Sequence, residues 1–151
     1  RRVLFRSWTP EQAATFRAHV SSDRLAACWL LTLAGLRFLR SDWFSALADE
    51  RFDIIASNPP YIADEDPHLQ EGDLRFEPVD ALTDHGDGLS DLRSIIDGAP
   101  AHLLPGGWLL MEHGYDQAAA VRGLLSGTGF TEVQSWRDLA GIERVSGGRL
   151  G

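Results

Sequence analysis

The sequence predicts an α/β fold in which helices pack against a largely parallel sheet. Three observations carry that expectation. From about residue 36 onward, short strand-like runs alternate with helix-patterned ones. Phe52-Asp53-Ile54-Ile55-Ala56-Ser57 is a nearly continuous apolar run of strand length, the pattern of a buried parallel strand. At 151 residues, 44% hydrophobic and 24% charged, the chain has the size and composition of one globular domain with a real core.

The first stretch reads differently from the rest. Residues 1–8 carry no periodic pattern. Thr9-Pro10-Glu11-Gln12 combines a capping residue, a proline suited to the first helical position and a capping-box glutamine, so a helix to about Val20 is expected. Ser21-Ser22-Asp23 caps a second expected helix through Cys28, Trp29 and Leu33. From residue 36 the pattern changes. Leu36-Arg37-Phe38-Leu39 alternates as a strand, and Phe52–Ser57 follows as the buried one, closed by Asn58-Pro59-Pro60-Tyr61. A loop rich in acid and proline runs from about Ile62 to Gly88, a length that is functional or disordered in most proteins. Ser90 to Leu104 is expected to be helical, with Leu92, Ile95, Ile96 and Leu103 on one face. Gly106-Gly107 then turns into the strand Trp108–Glu112. A helix is expected from about Gln117 to Leu125, ended by Gly127, and Phe130–Trp136 and Glu143–Val145 finish the chain as strands. Trp108 and Trp136 read as core.

Composition excludes several classes. The longest apolar run, Leu25 to Leu36, is interrupted by Thr32 and too short to span a bilayer, so no membrane association is expected. Cys28 is the single cysteine, which rules out a disulfide framework and a multi-cysteine zinc site, and its apolar neighbours mark an inert core thiol. His68, His85, His102 and His113 have no ligand spacing, and no metal is expected. The acids Asp64, Glu65, Asp66, Glu71 and Asp73 read as a solvated loop.

The net charge of −8 averages two unlike pieces. Residues 1–40 hold seven Arg against Glu11 and Asp23, a net of +5, whereas residues 41–151 hold seven Arg against twenty acids, a net of −13. Gly35 is the single glycine of the first 50 residues, and the only methionine is Met111. A basic arm on an acidic domain and two sequences of different origin both fit this asymmetry.

Asn58-Pro59-Pro60-Tyr61 is the motif with mechanistic content. Two consecutive prolines remove two backbone donors, so the loop presents carbonyl acceptors without competing N–H groups. Asn58 adds a side-chain carbonyl and Tyr61 an aromatic face. Acceptors converging beside an aromatic plane suit a planar group with an exocyclic NH2, a carboxamide or a nucleobase amine. Accepting both N–H hydrogens orients the nitrogen lone pair and offsets the positive charge that grows as the nitrogen attacks. The plainer alternative is a rigid turn that stops a strand. Position at the carboxyl end of a strand favours the functional reading, because α/β folds place ligands there.

Ser41-Asp42-Trp43-Phe44-Ser45-Ala46-Leu47 and Ser57-Asn58-Pro59-Pro60-Tyr61-Ile62 closely resemble the release-factor glutamine methyltransferases of the HemK/PrmC type. The resemblance continues through Asp66-Pro67-His68-Leu69, Glu71-Gly72-Asp73-Leu74-Arg75-Phe76-Glu77-Pro78 and Gly86-Asp87-Gly88-Leu89. It resumes at Leu109-Leu110-Met111-Glu112-His113-Gly114, at Asp138-Leu139-Ala140-Gly141, at Glu143-Arg144-Val145 and at Gly148-Arg149, spanning roughly residues 36–150. Asn-Pro-Pro-Tyr alone is shared with DNA adenine methyltransferases. The Leu-Arg-Phe-Glu-Pro segment and the Glu-His-Gly strand end narrow the resemblance to this family.

The resemblance implies a Rossmann-like class I S-adenosylmethionine-dependent methyltransferase fold, present as the C-terminal part of its sheet. It implies a cytoplasmic enzyme that uses S-adenosylmethionine to methylate the glutamine side chain in the Gly-Gly-Gln motif of peptide-chain release factors, its protein partners. Asn58 would accept a hydrogen bond from the substrate amide and lie beside the methyl donor. The Pro59 carbonyl would take the second N–H, with Pro60 and Tyr61 shaping the pocket. Asp42 and Trp43 would sit near the cofactor's adenine, and Arg75, Phe76 and Glu77 in a loop over the substrate channel.

Residues 1–40 depart from the family. The first strands and the glycine-rich turn of its cofactor site should precede Asp42, and nothing there matches. The expectation is therefore a basic, partly helical and unmatched segment over 1–35, from a partial or frame-shifted product, followed by the C-terminal part of a catalytic domain over 36–151. Such a chain carries the amide-methylating half without the half that holds the cofactor, so an inactive fragment is one alternative. The other is a DNA or RNA amino-methyltransferase using the same pocket. The net −13 of residues 41–151 argues against it, and direct nucleic-acid binding is not expected.

Overall fold

A computed structural model describes residues 41–64, 66 and 79–151. The two helices expected before residue 36 and the strand Leu36–Leu39 lie outside the described residues, as do Arg75, Phe76 and Glu77. The chain divides into two units, Arg1–Ala48 and Asp49–Gly151.

Among its described residues, the second unit has a four-stranded sheet, two α-helices and a single 3-10 turn, Val79–Ala81. Its elements are β1 (Phe52–Ser57), α1 (Ser90–His102), β2 (Leu103–Glu112), α2 (Ala118–Gly127), β3 (Phe130–Arg137) and β4 (Glu143–Leu150). The strand order is β1-β2-β4-β3. β1 pairs parallel with β2, while β4 runs antiparallel to both β2 and β3. Among the described residues the sheet is thus mixed, with one parallel and two antiparallel pairings. The connection from β3 to β4 is the cause, because five residues are too few for a crossover and enforce a hairpin. Asp138 closes that hairpin: its carboxylate accepts the N–H groups of Ala140 and Ile142, both at 2.9 Å. β4 can lie between two strands because of Gly147, where any side chain would strike the Leu109 carbonyl and the Trp136 ring.

α1 forms as its apolar spacing predicts. Leu92, Ile95, Ile96 and Ala99 recur at helical intervals and are all buried. Asp84 supplies the missing acceptors at its start, taking the Ser90 N–H at 2.7 Å, the Gly86 N–H at 2.9 Å and the Gly88 N–H at 3.0 Å. In α2, Ala118, Val121 and Leu125 are buried. The helix runs to Gly127, and the Thr128 and Gly129 N–H groups close it on the Leu124 and Ser126 carbonyls. β2 starts earlier than its glycines suggest. Leu103 already pairs with Phe52, and the register then jumps so that Ile54 meets Trp108. Leu104–Gly107 stand against Asp53 alone, an excess of three residues that makes a bulge, with Gly107 packed on the β1 backbone.

Both helices contact β2 or its neighbours, and Leu103, Leu109 and Met111 are buried among them. Two expectations about the core change. β1 is not a buried strand: Ile54 is 60% exposed, and β1 ends the sheet formed by the described residues. The tryptophans are not core either. Trp108 is half-buried, and Trp136 packs edge-on against it, with ring centroids 6.2 Å apart, while staying 39% exposed. Trp136 lies against Gly147, and strand alternation puts Trp108 on the sheet face opposite Leu109 and Met111, away from the helices.

Candidate active site

β1 and β2 run parallel, so their carboxyl ends emerge on one side of the sheet. The Asn58–Tyr61 loop leaves β1 there, and Glu112-His113-Gly114 leaves β2. Asn58 is exposed, Pro59 is buried, and Pro60 and Tyr61 are half-buried. Among the described residues, none takes up the Asn58 side-chain amide in a hydrogen bond. Tyr61 is held at both ends. Its hydroxyl donates to Glu112 Oε1 at 3.3 Å, and its carbonyl accepts from Gln117 Nε2 at 2.9 Å. Burial, with the Glu112 carboxylate beside it, pushes the Tyr61 phenol above the ordinary tyrosine range, against a smaller downward pull from Arg144.

The chain after Tyr61 is pinned as well. Ile62 bridges Thr83 in parallel, its N–H donating to the Leu82 carbonyl at 3.0 Å, and the Asp64 N–H reaches the Gly86 carbonyl at 3.1 Å. The two ends of the long loop expected between Ile62 and Gly88 are thereby tied together. Gly88 packs so closely on this junction that an added Cβ would lie 2.5 Å from the Tyr61 carbonyl oxygen and 2.7 Å from Gln117 Nε2.

Two further polar residues belong to this end of the sheet. The Gln117 amide joins Tyr61, Gly88 and Gly114. His113, fully buried, donates from Nδ1 to the Gly114 carbonyl at 2.8 Å and meets Ser146 Oγ with Nε2 at 2.8 Å. The Glu-His-Gly strand end signalled His113. Nothing in the local pattern signalled Gln117, which reads as a helix-start residue.

In the first unit, Ser41–Ala48 is a turn locked by hydroxyls. Ser41 Oγ accepts the Ala46 N–H at 3.0 Å and Ser45 Oγ accepts the Asp42 N–H at 3.1 Å. Trp43 is 38% exposed with φ of 45°, a region that a bulky residue rarely adopts. An exposed carboxylate and an exposed indole on this turn fit an adenosine-bearing cofactor in their chemistry, as acceptor and stacking plane. They supply no glycine cradle. Among the described residues, no group of three or more His, Cys, Asp or Glu is placed to hold a metal, and no helix is long and apolar enough to cross a membrane.

Known proteins share much of this sequence. The chain is 64% identical over 116 residues to the release factor glutamine methyltransferase of Burkholderia pseudomallei, a match covering 76% of this chain and 41% of that protein. It is 54% identical over 143 residues to the release factor glutamine methyltransferase of Bordetella pertussis, covering 89% of this chain and 53% of the relative. That second match is longer than residues 36–151 alone. Among solved structures, a protein-(glutamine-N5) methyltransferase (release factor-specific) from Alicyclobacillus acidocaldarius aligns with a TM-score of 0.44 and 29% identity, over 66% of this chain and 49% of that one. No family model matches the chain.

Most of this chain is therefore homologous to part of the release-factor glutamine methyltransferases, as its motifs suggest. Sequences this close share a fold, so the four strands are the C-terminal part of a Rossmann-like methyltransferase sheet. The chain spans about half the length, or less, of the curated relatives it matches.

Proposed function

We propose that this chain carries the amide-binding pocket of a cytoplasmic protein-(glutamine-N5) methyltransferase acting on the Gly-Gly-Gln motif of peptide-chain release factors. The observation that carries this reading is the Asn58–Tyr61 loop, set at the carboxyl end of a parallel strand and anchored through both ends of Tyr61. In this reading the Asn58 side-chain carbonyl and the Pro59 carbonyl accept the two N–H hydrogens of the substrate glutamine. That pair orients the nitrogen lone pair and offsets the charge growing on it, which a weakly nucleophilic amide requires. Pro60 and Tyr61 shape the pocket wall. Arg75, Phe76 and Glu77 would line the substrate channel. S-adenosylmethionine, when bound, supplies an electrophilic methyl group, and Asp42, Trp43 and Asn58 are the residues we assign to holding it.

Names of the relatives support the release-factor substrate. The acidic balance of residues 41–151 speaks against a duplex DNA substrate, whose phosphates need facing cations. The test is methyl transfer from labelled S-adenosylmethionine, offered in parallel to a Gly-Gly-Gln release factor and to a DNA duplex. Label is expected on the release factor alone, and Asn58→Ala is expected to lower the rate at least about 100-fold, the scale of losing an oriented acceptor. An Asn58→Ala chain with full transfer would refute the role of Asn58. Label on DNA would select the nucleic-acid reading, and absent cofactor binding at millimolar concentration would make this chain a non-enzymatic piece.

A further inference from the structure

A loop built on two prolines is stiff within itself but donates few hydrogen bonds, so it cannot anchor itself to its surroundings. Something outside must hold one of its carbonyls. Gln117, at the start of α2, does so with one planar amide. Its Nε2 donates to the Tyr61 carbonyl at 2.9 Å and to the Gly88 carbonyl at 3.2 Å, while its Oε1 accepts the Gly114 N–H at 2.9 Å. The amide's orientation follows from its partners. Turned over, it would set its oxygen against two carbonyl oxygens and its NH2 against an N–H. Both of its N–H donors and its oxygen are thus engaged by backbone from three separate segments. The Gly86–Gly88 turn is held equally close, since Gly88 has φ of +78° and no room for a Cβ between the Tyr61 carbonyl and Gln117.

We propose that Gln117 is the positioning residue of the pocket, fixing the Asn58–Tyr61 loop to the Gly86–Gly88 turn and to the segment after β2. The inference rests on the reading of that loop as the amide-binding pocket. Gln117 touches no substrate in this account; it sets where the acceptors of Asn58 and Pro59 stand. Positioning of this kind acts on the reaction step, because acceptors displaced by about an ångström lose alignment before they lose binding.

The test compares the 151-residue chain with Gln117→Glu and Gln117→Met. Gln117→Glu keeps the acceptor for Gly114 but faces two carbonyls with a carboxylate oxygen. Gln117→Met keeps the length and removes both functions. Amide hydrogen exchange is followed at Ile62 and Gly114, beside the clamp, and at Met111, within the β2–β4 ladder. In both variants exchange at Gly114 and Ile62 is expected to quicken at least about tenfold with Met111 unchanged, the signature of local opening. In chains that transfer methyl groups, kcat is expected to fall about tenfold or more with the KM for S-adenosylmethionine unchanged. Uniform acceleration at all three amides, or none, would overturn the proposal, as would an unchanged kcat. Local acceleration in a chain whose parent binds S-adenosylmethionine yet transfers no methyl group would instead refute the pocket reading and leave the clamp standing.

Discussion

Removing the His113 ring tests whether the carboxyl end of β2 is held by a directed chain of hydrogen bonds. His113 and Ser146 are both fully buried. The chain's direction is fixed by its ends. His113 Nδ1 faces a carbonyl and must donate, which leaves Nε2 to accept the single Ser146 hydrogen, so Ser135, itself accepting from Arg122, donates to Ser146 Oγ at 2.7 Å. Ser146 then donates to His113 Nε2, and Nδ1–H donates to the Gly114 carbonyl, each at 2.8 Å. His113→Phe keeps the ring's bulk and strips both bonds. The Gly114 carbonyl retains the Gln117 N–H at 3.1 Å, so the main loss is the Ser146 hydroxyl left without its acceptor. One buried unsatisfied donor costs about 1–3 kcal/mol, and the second lost bond adds about 1 kcal/mol, so a total of about 2–4 kcal/mol is expected. Ser146→Ala strands His113 Nε2 and costs about 1–3 kcal/mol. The double variant strands neither partner against the other, so it should cost less than the summed singles by about 1 kcal/mol. Urea unfolding of the four chains at constant slope measures this directly. Additivity within about 0.3 kcal/mol, or a His113→Phe cost under about 0.5 kcal/mol, would show that the chain of bonds contributes nothing as a unit.

Gly88→Ala should destabilise the chain by about 1–3 kcal/mol, because φ of +78° strains any side chain and the Cβ meets the Tyr61 carbonyl at 2.5 Å. An unchanged urea midpoint would contradict it. The pH dependence has a definite sign. The Arg93 guanidinium, together with the Leu89 N–H, holds the Asp87 carboxyl below the usual carboxylate range, and Arg122 does the same for Glu143. Stability from a lowered carboxyl is complete above its ordinary pKa and is lost as pH falls through that value toward the lowered one. Acid unfolding should therefore set in through the ordinary carboxylate range, and Arg93→Met should flatten that limb, as seen by circular dichroism across a pH series. A limb of the same steepness in the variant would count against the Asp87–Arg93 pair.

What could be read from the residues is what depends on near neighbours along the chain. The apolar spacing of Leu92, Ile95 and Ile96 is local, and it buries one helix face where the pattern puts it, whereas Leu103, expected on that same face, lies in β2. Asn58–Tyr61 follows β1 as expected because prolines end a strand wherever they fall. The start of β2 escaped notice because Leu103 joins the sheet through Phe52, a partner 51 positions away. Gln117 meets Tyr61 across 56 positions and His113 meets Ser146 across 33. No window of sequence contains such pairs, and each residue taken alone has an ordinary local role. The mixed character of the sheet was hidden likewise, since strand-helix alternation is the same whether the last strand pairs parallel or folds back.

The antiparallel strand has a mechanical consequence for the pocket. Both anchors of Tyr61, the Glu112 carboxylate and the Gln117 amide, ride on the segment where β2 ends. A strand end with only one neighbour frays, and an anchor on a fraying end positions nothing. β4 begins at that point: Glu112 pairs with Val145, and the His113 N–H donates to the Arg144 carbonyl at 3.0 Å. One step further, His113 is tied through Ser146 and Ser135 to Arg122 on α2, whose own start holds Gln117. The hairpin that departs from the parallel expectation is thus what stiffens the end of β2. In the proposed pocket, the acceptors for an amide nitrogen must stand within about half an ångström of their productive geometry. A proline loop donates few hydrogen bonds of its own, so that precision would come from the β2–β4 ladder through Tyr61.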